Sequence, residues 1–595
     1  MRINLEKVLF LVPPTIDFQK FKNPPIYVRA LPKKDGLYGS VLTDMPLGVL
    51  ALSAYIKKHC DVVVDVIDFN VPLNKVDEFP YDNFFDFFKD YISKHVSENF
   101  TPTLIGISTL FRTSYTNMMD IARACKELFP DQLIFAGGGV PTNMYDKIFK
   151  ETSDIDIMLF GEGERALAGY INSNDKAKFL QDYPCIITRE KVDNKTVFVH
   201  DFIDDLDEIP LYDYGMLDLS DYRLNPTISA YPGMDSSKPH VTFMSSRGCP
   251  FLCTFCSAHS VHGRKMRYYS LDRVKEDIRI LQEEFGTETI IFQDDHFMAD
   301  KKRVHEILAY MRERGMTAFF PNALTLYALD RPMLEALQGV GVKVMIMAVE
   351  SGSQRVLKEV MKKPLNQKIQ RQVFKDCREL GIDTDVNIII GMPGEKKEDI
   401  EDARKFLKEL YGTWFRIYAA VPLEGSDMYK EAVAKGYLTD GYINGDFKKA
   451  VIETEDWTSE YIQHACYSLN LDLNFITNSE MRVGNYERAL KEFENTISVK
   501  DDHAFAYYFA SKCHEKLGNY EKAVEYDKKF TDIMEVSEFW RDWAAEFNFK
   551  PEKLVFDEKE TNGDTLLTAN DPRLPSVPKD TDPKMLGNSA GWGTM

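Results

Sequence analysis

The stretch that constrains this chain most is Arg247-Gly248-Cys249-Pro250-Phe251-Leu252-Cys253-Thr254-Phe255-Cys256. It gathers Cys249, Cys253 and Cys256 into one short loop, although the whole chain of 595 residues has only nine cysteines. Three soft thiolates on one loop suit an iron–sulfur cluster, and a cluster with only three protein ligands leaves one iron open. We therefore predict a cluster whose open iron binds a substrate or a cofactor.

Two other interpretations of this loop remain at this point. His259 and His262 follow closely, and three cysteines with one histidine form a permitted structural zinc site. Zinc sites usually draw their ligands from two separated pairs, and the sequence shows no second pair. The third interpretation is that the thiols are inert.

The cysteine loop directly follows a predicted strand, and further strands alternate with amphipathic helices downstream of it. The predicted strands are Val241–Met244, Thr289–Phe292, Ala318–Phe320, Val342–Val349, Thr384–Ile390 and Phe415–Val421. Six strand–helix units predict a partial (β/α)6 TIM-like barrel over residues 240–440. In such barrels the chemistry lies at the C-terminal rim of the strands, which is where the cysteine loop falls.

Residues 1–170 also alternate strands with helices and predict an α/β, doubly wound, Rossmann-like domain. The predicted strands are Val8–Val12, Val62–Ile67, Leu104–Ser108, Leu133–Phe135 and Ile157–Phe160. Gly137–Gly139 and Gly161–Gly163 form glycine-containing turns after the last two strands, at the edge where such sheets bind ligands. The turns alone leave two interpretations, a ligand-binding domain or a plain packing domain.

The rest of the chain divides by composition and by an internal repeat. We predict a linker at 171–239, a connecting segment at 441–469 and a disordered tail at 551–595. The sequence from Gly484 to Ala489 recurs 34 residues later from Gly518 to Ala523, which is the tetratricopeptide period. Residues 470–550 are therefore predicted as all-α tetratricopeptide-like repeats. These helices either dock a protein or carrier-bound substrate, the preferred interpretation, or cap the barrel.

The composition indicates a folded protein without a broad nucleic-acid-binding face. Hydrophobic residues make up 44% of the chain, and 73 basic against 93 acidic residues give a net charge of −20. No apolar run approaches the roughly 18 residues that a membrane span needs, and Val8–Val12 is too short for a signal sequence. We expect a cytoplasmic protein that neither binds nucleic acid nor spans a membrane.

The cysteine loop resembles the signature of the radical S-adenosylmethionine (SAM) superfamily, CxxxCxΦC, with Phe255 as the aromatic residue before the last cysteine. The resemblance implies that Cys249, Cys253 and Cys256 hold a [4Fe–4S] cluster and that SAM chelates the fourth iron. An electron donor of the flavodoxin or ferredoxin type would reduce the cluster, and SAM would be cleaved to a 5′-deoxyadenosyl radical.

The resemblance extends to the predicted strand ends around SAM. Asp294 ends the second barrel strand and Glu350 the fourth, and 387–395 is similar to the family's GxIxGxxE segment near adenine. The segment departs from that pattern because Asn387 replaces the first glycine and Glu395 falls one residue late. The implied SAM contacts are Phe255, Asp294, Glu350, Ile389 and Gly391. The alternative for the two carboxylates is that each caps the following helix.

The glycine turns of residues 1–170 resemble the cobalamin-binding domain of one radical SAM subfamily. The histidine motif DxHxxG of many cobalamin proteins is absent, and His59 does not match it, so the lower face of the corrin is left to the loop Thr109–Arg112 and the axial ligand is unassigned. The implied cobalamin contacts are Gly48, Ser108, Thr109, Gly137, Gly138, Gly139, Pro141, Gly161, Glu162 and Gly163.

Together these resemblances imply a cobalamin-dependent radical SAM enzyme. The commonest chemistry of that group is methylation of an unactivated carbon, here in a small-molecule or carrier-bound substrate, and relatives also catalyse oxidative cyclisation or rearrangement. A hypothesis of another class is a non-catalytic tetratricopeptide scaffold or cobalamin sensor. Arg416 and Tyr418, on the sixth predicted strand, point toward the expected substrate position, but the sequence assigns no catalytic residue.

Overall fold

The computed structural model describes residues 5–25, 28–96, 100–224, 238–440, 442, 449–552 and 554. The predicted tail at 551–595 lies outside the described residues apart from 551, 552 and 554. The described chain forms the predicted α/β architecture followed by helices. None of the helices in this part of the chain is both long and apolar enough to cross a bilayer.

The first sheet has six strands in the order β4-β1-β5-β6-β7-β8. All neighbouring strands are parallel except β7 and β8, which are antiparallel. The order reverses between β1 and β5, and doubly wound sheets bind ligands at the carboxyl ends of the strands at such a point. The strands are β1 Glu6–Val12, β4 Val62–Asp68, β5 Leu104–Ser108, β6 Leu133–Gly137, β7 Ile157–Leu159 and β8 Ile186–Thr188, and a separate hairpin contains β2 Ala30–Lys33 and β3 Gly36–Gly39.

Strand β8 differs from the sequence prediction because it lies inside the segment 171–239, which was predicted as a linker. Ile186 and Ile187 are fully buried, and the strand extends the sheet at its edge. A run of three strand residues is too short for a periodic signal, and only its pairing with β7 makes it a strand. The first domain therefore continues through Thr188.

Helices cover both faces of this sheet, as the doubly wound prediction requires. Val8 and Phe10 belong to one apolar cluster, whereas Leu9 and Leu11 belong to another on the opposite face. Alternate residues of a strand point to opposite faces, so a strand that is apolar throughout is buried on both. The helices are Phe18–Lys22, Leu47–His59, Asn70–Lys75, Phe84–His95, Tyr115–Leu128, Gly139–Glu151, Glu164–Asn172, Lys176–Asp182 and Arg189–Asp193.

The second unit contains the six predicted strand–helix repeats. Its strands form two parallel groups, β13-β12-β9 and β14-β15-β16, which meet at a bridge between Leu324 and Met347. The strands are β9 His240–Phe243, β12 Thr289–Phe292, β13 Thr317–Phe319, β14 Val344–Glu350, β15 Asp383–Ile390 and β16 Trp414–Ala419. A small hairpin of β10 Ser246–Arg247 and β11 Arg267–Tyr268 encloses the cysteine loop. The helices are His259–His262, Leu271–Phe285, Lys301–Glu313, Arg331–Gly339, Gln367–Leu380, Lys397–Leu410 and Asp427–Lys435.

The last part of the described chain is helical. Gly484 and Gly518, with φ of +78° and +77°, stand at matching places just before two helices, so both copies of the sequence repeat have the same local structure. The assignment of these helices to tetratricopeptide repeats stays a prediction. The helices are Ser459–Leu471, Ser479–Arg482, Tyr486–Val499, Ala504–Lys516, Tyr520–Val536 and Glu538–Glu546, with a π-helix at Asp472–Ile476.

Candidate active site

The cysteine loop is tightly folded between β10 and the helix His259–His262. Gly248 has φ +92°, and a Cβ there would lie 2.4 Å from the Lys265 carbonyl oxygen, so only glycine fits before the first cysteine. The Cys249 N–H donates to the Gly263 carbonyl oxygen at 3.2 Å. The three cysteines are partly buried and form no disulfide. The loop thus carries the three thiols directly after β10 and next to the end of β12, where Asp295 accepts a hydrogen bond from the Gly248 N–H at 3.0 Å.

The chemistry of this donor set fits an iron–sulfur cluster. Burial raises the pKa of the Cys249 thiol to about 11 and also raises the pKa of Cys253 and Cys256, so a metal must displace three protons on binding. Within the described residues no three His, Cys, Asp or Glu side chains converge on one ion position. Each thiolate of an iron–sulfur cluster binds a different iron, so the three thiols need not converge on one ion position. His262 is bonded to Asp295 instead, at 2.8 Å.

Asp294 ties two strand ends together at the rim. Its carboxylate accepts hydrogen bonds from the Ser245 N–H at 3.0 Å, the Ser245 hydroxyl at 2.8 Å and the Ser246 hydroxyl at 2.6 Å. Burial raises the pKa of Asp294 to about 6. The helix-capping alternative is wrong for this residue, because Asp300 caps the next helix.

Glu350 and Lys363 form a second polar pair beside the cysteine loop. Glu350 has φ +63°, a conformation that residues other than glycine adopt rarely and often at functional sites. Its carboxylate is 3.2 Å from the Lys363 ammonium, which in turn lies 6.0 Å from the centre of the Phe255 ring. Lys363 could not be identified from the sequence, because a lysine next to Lys362 and Pro364 gives no signal of burial.

The turn after β15 is held by Glu395. One of its carboxylate oxygens accepts from the Gly391 N–H at 2.6 Å and the Met392 N–H at 3.1 Å, and burial raises the pKa of Glu395 to about 7. Glu395 therefore shapes the turn although it falls one residue later than the family pattern. Ile389 lies on β15 below this turn and is partly exposed toward the inside of the barrel.

The glycines predicted to contact cobalamin separate into two kinds. A Cβ on Gly138 would lie 2.6 Å from the Thr109 carbonyl oxygen, one on Gly139 would lie 3.0 Å from the Leu110 carbonyl oxygen, and one on Gly161 would lie 2.3 Å from the His200 ring. These three glycines are required by the packing of the protein itself. A Cβ on Gly48 would meet no atom within 4 Å, and one on Gly137 would meet only a Leu159 atom at 4.0 Å.

Gly48 and Gly137 therefore leave an open cradle at the ligand-binding edge of the first sheet. Among the described residues, the buried hydroxyl of Thr109 has no hydrogen-bond partner. In the neighbouring loop Leu110 and Phe111 are 62% and 45% exposed, which leaves apolar area for a large ligand to cover. These features fit a cobalamin. Ser108, Pro141 and Gly163 lie at the same edge, at the end of β5 and the starts of two helices.

Glu162 has a different role from the predicted corrin contact, because barrel arginines occupy its carboxylate. Arg267 donates two hydrogen bonds to it at 2.8 and 2.6 Å, and Arg247 lies 3.3 Å away. Arg247 also donates to Glu164 at 2.8 Å. All four side chains are 5% exposed or less. This buried network joins the first domain to the residue that immediately precedes Gly248 and the cysteines.

Other contacts bring the cradle and the cysteine loop to the same interface. The Asn143 amide donates to the Ser260 hydroxyl at 2.8 Å, and a Cβ on Gly161 would lie 3.2 Å from the Val261 carbonyl oxygen. The helix His259–His262 packs on the helix Gly139–Glu151. The ligand-binding edge of the first domain thus faces the catalytic rim of the barrel.

Comparisons with known proteins agree with this geometry. Residues 243–407 match the model of the radical SAM superfamily, and residues 39–171 match the B12 binding domain. An uncharacterized methyltransferase of Pyrococcus horikoshii is 25% identical over 421 residues, 71% of this chain and 85% of that protein. An anaerobic magnesium-protoporphyrin IX monomethyl ester cyclase of Rubrivivax gelatinosus is 26% identical over 56% of this chain and 58% of its own length. The solved cobalamin-dependent SAM radical enzyme OxsB has a TM-score of 0.59 at 15% identity, over 92% of this chain and 81% of its own.

The cysteine loop, the barrel and the facing B12 domain define an iron–sulfur enzyme that uses SAM and cobalamin. The chain thus combines a radical SAM domain with a B12-binding domain, and the proteins that it resembles include methyltransferases and cyclases. The fold, the enzyme class and the three cofactors predicted from the sequence are thereby confirmed. Such an enzyme requires a reductant.

Proposed function

We propose that this enzyme methylates an unactivated carbon of a small-molecule or carrier-bound substrate. The observation that carries the proposal is the direct apposition of the B12 domain's open edge and the cysteine loop, fixed by the buried contacts of Glu162 with Arg247 and Arg267. A methyl donor and a radical source must reach the same substrate carbon. When bound, the cofactors supply the radical and the methyl group, and the protein positions them and excludes water.

The residue assignments belong to this proposal. Cys249, Cys253 and Cys256 would hold the cluster, and the polar groups of the rim would hold SAM, with contacts from Phe255, Asp294, Glu350, Ile389 and Gly391. Gly48, Gly137 and the Thr109 hydroxyl offer the open surface for cobalamin, with Ser108, Gly138, Gly139, Pro141, Gly161 and Gly163 shaping it. Glu162 would act as a positioning residue, because its carboxylate is held by the arginines.

We also propose a flavodoxin or ferredoxin as the electron donor and the cytoplasm as the location. All nine cysteines are free of disulfides, which suits a reducing compartment, and the cluster must accept one electron at a time. Reduction by a purified flavodoxin system, followed as 5′-deoxyadenosine release, would test the donor.

The cofactor assignment is tested by metal analysis of anaerobically reconstituted protein. We expect about four irons and one cobalt per chain after incubation with hydroxocobalamin, and no iron in a triple Cys249/Cys253/Cys256→Ala variant. Gly48→Leu should weaken cobalamin binding without lowering thermal stability, because its side chain enters open space. Gly215→Leu is the matched control, since a Cβ there also meets no atom within 4 Å. Equal cobalamin binding by both variants would remove the cradle assignment.

The reaction itself is tested with SAM that carries a CD3 group. Cells that produce the enzyme, fed CD3-methionine, should accumulate a metabolite about 17 mass units heavier than its unlabelled precursor, because a CD3 group replaces one hydrogen. The same cells with the triple cysteine variant should not. A product with a new ring or unsaturation and no label would favour cyclisation, the activity printed for the Rubrivivax gelatinosus relative. Absence of any SAM cleavage by fully loaded protein would favour the scaffold or sensor hypothesis.

A further inference from the structure

The inside of the barrel is lined by a distinct set of side chains on β14, β15 and β16. On β15, Val386, Ile388 and Ile390 pack into the main apolar core with the outer helices. The alternate residues Asp385, Asn387 and Ile389 must therefore face the inside of the barrel. Ile291, Phe319 and Ile346 form a separate small cluster away from the helices. One inner wall is apolar, and the wall formed by β15 and β16 is polar.

Part of this interior is open, although TIM barrels usually have a packed one. Ala348, Asn387 and Ile389 are partly exposed, whereas their outward-facing neighbours are fully buried. A cavity of about 400 Å³ lies against β13 and β14, within the size range of ligand pockets. Its inner lining includes Thr289, Thr317, Phe319, Leu324, Val344 and Ile346.

The polar wall contains an acceptor without a partner. Arg416 pairs with Asp385 through its Nε, at 2.7 and 2.8 Å from the two carboxylate oxygens. Asn387 lies beside Arg416 in the register of the two strands, and its buried Oδ1 receives no hydrogen bond from any residue that the structure describes. A buried acceptor of this kind is uncommon in native proteins and requires a partner. The sequence marks the same position, because Asn387 stands where the family pattern has glycine.

The charges inside the barrel already compensate one another. Arg416 is paired with Asp385, and Lys363 is paired with Glu350 nearer the rim. A charged group entering between these pairs would lose its hydration without gaining a counter-ion. A hydroxyl or N–H group would instead satisfy Asn387. Lys238 and Lys343 also line the cavity, but both extend toward solvent, and Lys238 pairs there with Glu288.

We propose that the barrel interior binds the body of the substrate, a neutral and mainly apolar molecule whose hydroxyl or N–H group donates to Asn387 Oδ1. The apolar part occupies the cavity beside Phe319 and Ile346. The register places Asn387 opposite Ala348, two residues before Glu350 at the rim, so the donor group lies just below the site assigned to SAM. This inference rests on the proposed function and adds the substrate class.

The test uses three probes of equal length, 1-octanol, octanoate and octylammonium, titrated calorimetrically into the full-length reconstituted protein. We expect saturable 1:1 binding of 1-octanol and at least tenfold weaker binding of both ions. Ile346→Trp fills the cavity and should abolish binding, whereas Ile346→Leu keeps the volume and should not. Asn387→Leu should weaken 1-octanol binding about tenfold, the loss expected for one hydrogen bond of about 1.4 kcal/mol.

Phe319→Trp fills the same cavity from β13 and should also abolish binding of 1-octanol. If neither tryptophan variant folds, the affinity of Asn387→Leu for 1-octanol decides the test. The inference is overturned if 1-octanol does not saturate, if folded tryptophan variants bind it unchanged, or if octanoate binds equally well through the two lysines. Iron, cobalt and SAM cleavage are measured on the same preparations. Cofactor-loaded, SAM-cleaving protein that ignores 1-octanol would refute the substrate class alone. Binding of 1-octanol without iron or cobalt would refute the proposed function alone.

Discussion

Replacing Glu162 by Gln is expected to loosen the contact between the B12 domain and the barrel. In the folded protein burial alone would raise the pKa of Glu162, but the charge of Arg247 and the hydrogen bonds from Arg267 outweigh burial and lower it. The substitution removes the charge and leaves the two arginines buried with Glu164 as the remaining carboxylate of the network. Removing one partner of a buried ion pair costs about 3–5 kcal/mol.

This loss of stability should lower the temperature of the first melting transition. For a cooperative unit of 150–250 residues, 1 kcal/mol corresponds to about 2–4 °C, so Glu162→Gln should lower this transition by at least about 6 °C. Scanning calorimetry on cofactor-free protein measures the shift directly. The control is Glu208→Gln, because Glu208 pairs with Arg165 at 3.4 Å in a half-exposed position, where a pair contributes about 0–1 kcal/mol. A shift no larger than the control's would refute the argument that this network holds the domains together.

Three further variants test other parts of the site. Cys253→Ala should retain the fold but bind no [4Fe–4S] cluster, as seen by loss of iron and of the cluster's visible absorption; full iron content would contradict the ligand assignment. Because the pKa of Glu395 is raised from 4.5 to about 7, its protonated form is favoured on folding, and the associated stability is present below pH 4.5 and lost as the pH rises through 7. Glu395→Gln should therefore flatten the decline in melting temperature between pH 5 and 8, and an unchanged pH profile would contradict this account. Asn474→Ala should speed hydrogen exchange at the Phe415 amide, which now donates to the Asn474 side chain at 2.8 Å; equal protection in the variant would show that this bond is unimportant.

The sequence predicted the features that depend on local patterns. The cysteine loop could be predicted from the spacing of its cysteines, and the barrel strands could be predicted from apolar runs that alternate with helical patterns. Both features are determined by residues that are close in sequence. Contacts between residues that are far apart in the sequence could not be predicted. Glu162 was predicted as a corrin contact, but its partner Arg267 lies 105 residues later in the chain, and only tertiary packing brings the two together.

The glycines predicted to contact cobalamin show the same limit of prediction from sequence. Gly48 and Gly138 were both predicted as cobalamin contacts from their places in turns. The structure distinguishes them, because a Cβ on Gly138 would collide with Thr109 whereas one on Gly48 would enter open space. A sequence records that a side chain is missing at a position. It does not record whether the space is needed by the protein or by a ligand.

The helices after the barrel begin as a cap on it. The Asn474 side-chain NH2 donates to the Phe415 carbonyl oxygen at 2.7 Å, and its Oδ1 accepts from the Phe415 N–H at 2.8 Å. One side chain therefore satisfies the backbone of β16 at the edge of the barrel. An edge strand left open invites aggregation, which gives this contact a physical purpose. Arg488 reaches back to Asp383 at the start of β15, at 2.8 Å, and fixes the next helix to the same end of the barrel.

The capping interpretation therefore accounts for the first part of the predicted repeat region 470–550, through the helix Tyr486–Val499, where the sequence favours docking. A docking role can apply only to surfaces that the barrel does not occupy. Val536 and Phe539 meet this condition, since they are 83% and 45% exposed on adjoining helices. If these helices bind a carrier or a protein, Phe539→Asp should weaken that binding and leave SAM cleavage unchanged, because the Phe539 ring packs within the helical region, against Tyr467, Trp540 and Trp543.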